Sequence, residues 1–252
     1  MRKIAVVAST LLVIVGLAAC SAPEHPAGSS HSNSSSASTS QGTSSSTAGS
    51  STQAPSTAAD KLFSTQQLNA LIPTLRDANG NPFQVVPTDK LNQGIQQAKQ
   101  QLASTVVSPK ECQELLNQNS QIVPGSSFAG GVSASDGSVI TAVSFKDAAQ
   151  LSKAVSQVQG SLESCPSFSI SVAGQQIDAT VKRLTVKTNG ELSSAGIVTE
   201  SLPNGKTLTI LSVAGVKGNL SVGAVKIAET VDESAAQVLT ALVNQVFEKT
   251  GV

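Results

Sequence analysis

Apolar side chains recur along this chain in three different rhythms. Residues 4–16 form a nearly unbroken apolar run, residues 21–59 carry hardly any large apolar side chain, and from residue 60 onward helical and strand periods alternate. Ser64 followed by Gln67, with Leu68, Leu71 and Ile72 behind, has the pattern of a capping box and predicts a short helix ending near Pro73. Leu91, Ile95, Ala98 and Leu102 then recur at helical spacing over residues 88–103, opposite a Gln- and Lys-rich face. Ser108-Pro109 predicts an N-cap with Pro at the first helical position, opening a short helix through Leu115 and Leu116.

The period changes in the middle of the chain. Residues 128–135 and 138–145 flank Asp136-Gly137, a tight-turn pair that predicts a hairpin. Gly130-Gly131 within it marks a bulge or close packing. Ala148, Leu151, Val155, Val158 and Leu162 form one apolar stripe of a helix that runs into Cys165 and is stopped by Pro166. Strands are predicted at 168–172, 177–188, 196–202 with 206–213, and 220–227. Asn189-Gly190 and Asn204-Gly205 read as hairpin turns, so neighbouring strands should be antiparallel. A last helix over 234–249 carries Val238, Leu239, Leu242, Val243 and Val246. Runs of helices beside an antiparallel meander spell an α+β fold, with helices packed on one face of a twisted sheet.

The first two rhythms describe export. Met1-Arg2-Lys3 is a basic start, the apolar run is too short to span a bilayer, and Leu17-Ala18-Ala19-Cys20 follows, the order of a secretory signal with a small-residue cleavage site. The tetrapeptide resembles a bacterial lipobox, which implies a diacylglycerol on the Cys20 thiol and an N-terminal lipid anchor on the extracytoplasmic face of the cell membrane. About half of residues 21–59 are Ser or Thr. Such a segment buries too little surface to offset its ordering entropy and should be a disordered linker of about 35 Å mean span, open to glycosylation. The expected organisation is a signal peptide over 1–20, a tether over 21–59 and one globular domain over 60–252.

Composition narrows the chemistry. His25 and His31 both precede the domain, which removes a His general base and a His-ligated metal from it. Without Arg2 and Lys3 the mature chain carries fourteen basic against sixteen acidic residues, and it has neither Tyr nor Trp. Nucleic acid is therefore not an expected partner. No Gly-x-Ser-x-Gly, Ser-x-x-Lys, Walker A or Gly-x-Gly-x-x-Gly pattern occurs, and no cofactor is expected. With Cys20 acylated, Cys112 and Cys165 form an even pair in an oxidising setting, which argues for a disulfide closing a loop of a little over fifty residues. A thiol nucleophile or a metal pair is the alternative, without CxxC spacing or His to support it.

The remaining candidates are charged. Asp77, Asn79 and Asn81 have the odd spacing of a calcium loop, but Pro82 stands where Gly is needed and Thr88 where the bidentate Glu belongs, so an Asn-Gly turn is the expected reading. Asp136, Asp147, Asp178, Glu191, Glu200, Glu229 and Asp232 could supply a general acid and base. Nearly all lie beside predicted turns or helix ends, where capping is the ordinary role. Lys182-Arg183 reads as a small basic spot for an anion or as an exposed strand face.

The order of features, from Ser108-Pro109-Lys110-Glu111-Cys112 through a hairpin and the helix into Ser164-Cys165-Pro166 to antiparallel strands and a closing helix, resembles the extracellular sensor-like domain of mycobacterial PknH-type serine/threonine kinases. That domain also occurs in free-standing actinobacterial lipoproteins. The resemblance covers about residue 62 to the C-terminus. It implies an antiparallel sheet with helices against it and a cleft for a small ligand, and no chemistry. This chain has one Cys pair where the kinase domains have two, and Leu162 where an aromatic is usual, which puts a shared ligand in doubt. The leading expectation is a membrane-anchored, non-catalytic binding or sensing domain for a small or lipidic envelope component. A scaffold that contacts another envelope protein comes second, and a two-carboxylate hydrolase last.

Overall fold

The computed structural model describes residues 61–113, 125–149, 151, 155, 160, 163–172 and 174–252. The apolar N-terminal run, Cys20, the Ser/Thr-rich segment, Leu115, Leu116, Val158 and Leu162 lie outside the described residues.

Among the described residues nine antiparallel strands form one sheet in the order β1-β3-β4-β9-β8-β7-β6-β5-β2. They are β1 (Gln84–Val85), β2 (Val106–Ser108), β3 (Ser127–Val132), β4 (Val139–Ser144), β5 (Ser167–Val172), β6 (Gln175–Leu184), β7 (Leu192–Ser201), β8 (Thr207–Lys217) and β9 (Leu220–Ala228). Three helices described over their whole length accompany them: α1 (Thr65–Leu71), α2 (Thr88–Ala103) and α3 (Ala235–Thr250). Residues 148, 149, 151, 155, 160, 163 and 164 are also helical. The chain is thus α+β.

Local chemistry explains most elements. Ser64 Oγ accepts the Gln67 N–H and Gln67 Oε1 accepts the Ser64 N–H, which closes the capping box of α1. The β3–β4 hairpin turns at Gly137 (φ +70°), a conformation that Gly adopts without penalty. β3 and β4 pair residue for residue from Ser127↔Ser144 to Val132↔Val139, so Gly130-Gly131 makes no bulge. Gly131 serves close packing instead: a Cβ there would collide with Ile72 Cγ2. The helix expected to open at Ser108 does not start there, and its Leu115 and Leu116 lie outside the described residues. Pro109 disfavours the α region for the residue before it, so Ser108 ends strand β2, and a 3₁₀ turn, Lys110–Cys112, follows and leads into helical Gln113.

Alternating side chains on the central strands serve two apolar clusters. Ile197, Leu211 and Ala224 face one side, where they pack with Leu68 and Ile72 and with Leu239, Leu242, Val243, Val246 and Phe247 of α3. Val238, placed by its spacing in the α3 stripe, is instead 41% exposed. Val198, Ile210 and Val225 face the other side, with Phe168, Ile170, Ile177, Val107 and both half-cystines. Leu102 at the end of α2 packs against this second cluster. Cys112 and Cys165 are bonded to each other, with Cα atoms 5.7 Å apart across a sequence separation of 53.

Candidate functional site

β6 stops at Leu184, where it pairs with Ala195, and does not continue to residue 188 as its apolar pattern predicts. Residues 185–191 leave the sheet and run along α3 before rejoining it. Side chains tie this strap at both ends. Before it, Lys182 on β6 pairs with Glu233 just ahead of α3. At its far end, the Asn189 N–H donates to Asn244 Oδ1 at 2.7 Å and Asn189 Nδ2 to Glu248 Oε1 at 3.4 Å. Thr188, 3% exposed, exchanges a hydroxyl hydrogen bond with Ser193 at 2.8 Å, and the Glu191 N–H reaches the Val216 carbonyl. Asn189-Gly190 is therefore the corner of a longer loop held by α3, and not a two-residue hairpin.

Between strap and helix lies an open groove of about 520 Å³. Leu184 and Val186 line one side, and Ala236, Thr240 and Ala241 line the other. Lys187, Gln237 and Asn244 supply polar groups, with Glu233 at the N-terminal end of α3. Gln237, Thr240, Ala241 and Asn244 follow helical i, i+3, i+4, i+7 spacing, so they present one stripe. The Thr240 hydroxyl donates to the Ala236 carbonyl, while the Gln237 side chain has no hydrogen-bond partner among the described residues.

Glu200 is the anomalous carboxylate. It is 1% exposed on the second face, opposite Ala179 on β6 and Leu208 on β8, with Val198 on β7 and Leu202 just past its end packed on the same cluster. Its Oε1 is buried with no hydrogen-bond partner. Desolvation in this apolar setting pushes its pKa up to about 7. The acid and the groove are on opposite faces of the sheet.

The other acidic candidates serve local structure. Asp136 accepts the Ser138 N–H and hydroxyl within the hairpin, Asp147 the Ala149 N–H, and Asp232 the Ser234 N–H ahead of α3. Asp178 accepts from Ser169 and Gln176, which lowers its pKa. Glu191 accepts the Gly218 N–H, and Glu229 pairs with Lys206 at 3.7 Å. These side chains do not converge on one another. Asp77 gathers the N–H groups of Asn79 and Asn81 and the hydroxyls of Ser133 and Ser135, and those hydroxyls first of all hold its pKa at about 2. This is a tied Asn-Gly turn with Gly80 at φ +80°. Lys182 and Arg183 do not form a basic spot: consecutive strand residues point to opposite faces, and Arg183 pairs with Glu163 while Lys182 pairs with Glu233. Among the described residues no group of three His, Cys, Asp or Glu could hold a metal ion. No described helix is long and apolar enough to cross a membrane.

The groove lining was not legible in the sequence. Its one trace is the placement of the small and neutral residues Gln237, Thr240, Ala241 and Asn244 on the solvent side of α3, where surface helices more often carry charge.

No protein-family model and no curated protein matches the sequence. Among solved structures, two mycobacterial proteins are similar to this chain. The extracellular domain of PknH from Mycobacterium tuberculosis is 13% identical, with 75% of this chain and 99% of that chain covered at a TM-score of 0.48. The Rv0999 ortholog from Mycobacterium smegmatis is 14% identical, with 56% of this chain and 76% of that chain covered at a TM-score of 0.38.

Proposed function

We propose that this chain is a lipoprotein anchored through Cys20 at the extracytoplasmic face of the membrane, and that its domain binds a ligand without converting it. The observation that carries the reading is the strapped groove. The far end of the strap is fixed to α3 and the strand leading into it is tied to Glu233 just ahead of α3, yet the lining between is left open to solvent, with apolar walls and a few unpaired polar groups. That combination is the usual make-up of a recognition site. The dispersal of the carboxylates supports the non-catalytic part of the proposal. The Leu17-Ala18-Ala19-Cys20 sequence and the Ser/Thr-rich stretch behind it support the anchored, tethered part. A scaffold role has less support, because only Leu62, Val106 and Val238 are exposed large apolar residues among the described ones.

Native mass spectrometry of the full chain, purified from its host's envelope fraction, tests the reading. The expected result is a diacylated N-terminus and a bound small mass that is missing from Ala241→Trp, a substitution that fills the groove at an exposed helix position. A protein bare in both forms, or a bound mass unchanged in the variant, would overturn the groove as the ligand site. Loss of the lipid mass in Cys20→Ala is expected independently.

A further inference from the structure

Resting on the groove as a ligand site, we propose that its occupant is a peptide in extended conformation, with a carboxylate at the end that meets Lys187. Four observations converge on this class of ligand. First, the backbone of residues 185–187 makes no hydrogen bond with any other described residue, so this wall of the groove has unpaired N–H and C=O groups. An added strand satisfies such groups, and side-chain pockets then set specificity.

Second, the opposite wall carries two primary amides, Gln237 and Asn244. They are seven residues apart on one face of α3, about 10 Å at 1.5 Å per residue, which is the rise of about three residues of extended chain. Asn244 Oδ1 is already taken by the Asn189 N–H, so its Nδ2 is turned to donate. Gln237 can both donate and accept. Amides on one side and free backbone on the other match the alternating donors and acceptors of a peptide main chain. An acyl chain in the same place would bury those groups unpaired, at a desolvation cost.

Third, the stripe between the two amides is small, with Thr240 and Ala241, which leaves room for a main chain and short side chains and for little more. Fourth, the charges at the two ends are unequal. Glu233 is neutralised by Lys182, whereas Lys187 has no ion-pair partner among the described residues. The Lys187 end therefore attracts a carboxylate and orients the peptide.

The test uses the ¹⁵N-labelled full chain and three probes: acetyl-Ala-Ser-Ala-Ala-Asp, the same peptide N-methylated at alternate amides, and dihexanoylphosphatidylcholine below its micellar concentration. The first peptide is expected to shift the backbone amides of residues 185–187 and the side-chain NH₂ signals of Gln237 and Asn244. N-methylation should weaken binding about tenfold, as should Lys187→Glu and Gln237→Leu, both at exposed positions where the fold is insensitive. Equal binding of the N-methylated peptide would overturn main-chain recognition. Shifts of the groove amides with the phospholipid and none with either peptide would overturn the peptide assignment while leaving the groove a ligand site. Silence toward all three probes, together with a bare protein in the mass spectrometer, would overturn both.

Discussion

The two faces of the sheet are closed by different means. On the face covered by α1 and α3, Ser144 Oγ accepts the Phe63 N–H and the Thr250 hydroxyl donates to the Val246 carbonyl, and the one unpartnered buried oxygen of α1, Asn69 Oδ1, belongs to a neutral amide. The rest of that face is apolar interdigitation, close enough that a Cβ on Gly215 would lie 2.9 Å from Phe247 Cε2. The opposite face holds both a covalent staple, Cys112 to Cys165, and an unpaired buried acid, Glu200. Burial of apolar area secures the first face. The second depends on a covalent constraint and on the protonation state of one carboxylate, so solution conditions act on it selectively.

That contrast can be broken from either side. The largest effect is expected from Cys112→Ala with Cys165→Ala, which should cost about 4 kcal/mol for a separation of 53. Hydrogen exchange should then rise at β5, β6 and β2 before it rises at α3. Exchange that rises uniformly would mean the two faces are one cooperative unit. Leu239→Ala on the first face should cost about 3.5 kcal/mol by urea unfolding, with the same cost in reducing and oxidising buffer. A cost that depends on the redox state would couple the faces.

Glu200 gives the third comparison. Its folded pKa, about 7, stands above the ordinary 4.5, so the folded state binds its proton more tightly than the unfolded one. Stability is fully present below about pH 4.5 and falls by about 3 kcal/mol as pH rises through 7. Glu200→Gln should flatten that part of the profile and leave the variant more stable than the wild type at pH 8. A wild-type profile already flat between pH 5 and 8 would contradict the burial argument. Asp77 works in the opposite direction: its contribution is present above pH 3.8 and is lost as pH falls through about 2. The smallest effect belongs to the exposed pairs. Lys182→Ala and Arg183→Ala should each change stability by less than about 0.5 kcal/mol, and only the former should loosen the strap, read as faster exchange of residues 185–188.

Elements specified within a few residues could be read directly. The Ser64/Gln67 capping box, the stripe of α2, the turns at Gly137 and Gly205, and the α+β class all follow from local spacing. What long-range contact decides could not be read. β1 and β2 are two and three residues long, too short for any alternation to register. The strap exists because Asn244 and Glu248 of α3 capture Asn189, more than fifty residues away in sequence. Lys182-Arg183 looked like one basic feature because adjacency in sequence hides the alternation of a strand. Glu200 could have been singled out among the acids, since it occupies an apolar alternate position between Val198 and Leu202. Its lack of a partner could not.

The short edge strands have a consequence for crowded surfaces. β1 lies between Pro82 and Pro87, neither of which can donate to a neighbouring strand. On β2 the Val107 N–H is occupied by Gln113 Oε1 at 3.2 Å, and the strand runs into Pro109. The sheet thus terminates on both sides in short, proline-flanked edges that template another chain poorly. Copies packed side by side at high lateral density would remain individual particles and would not zip into a continuous β-layer.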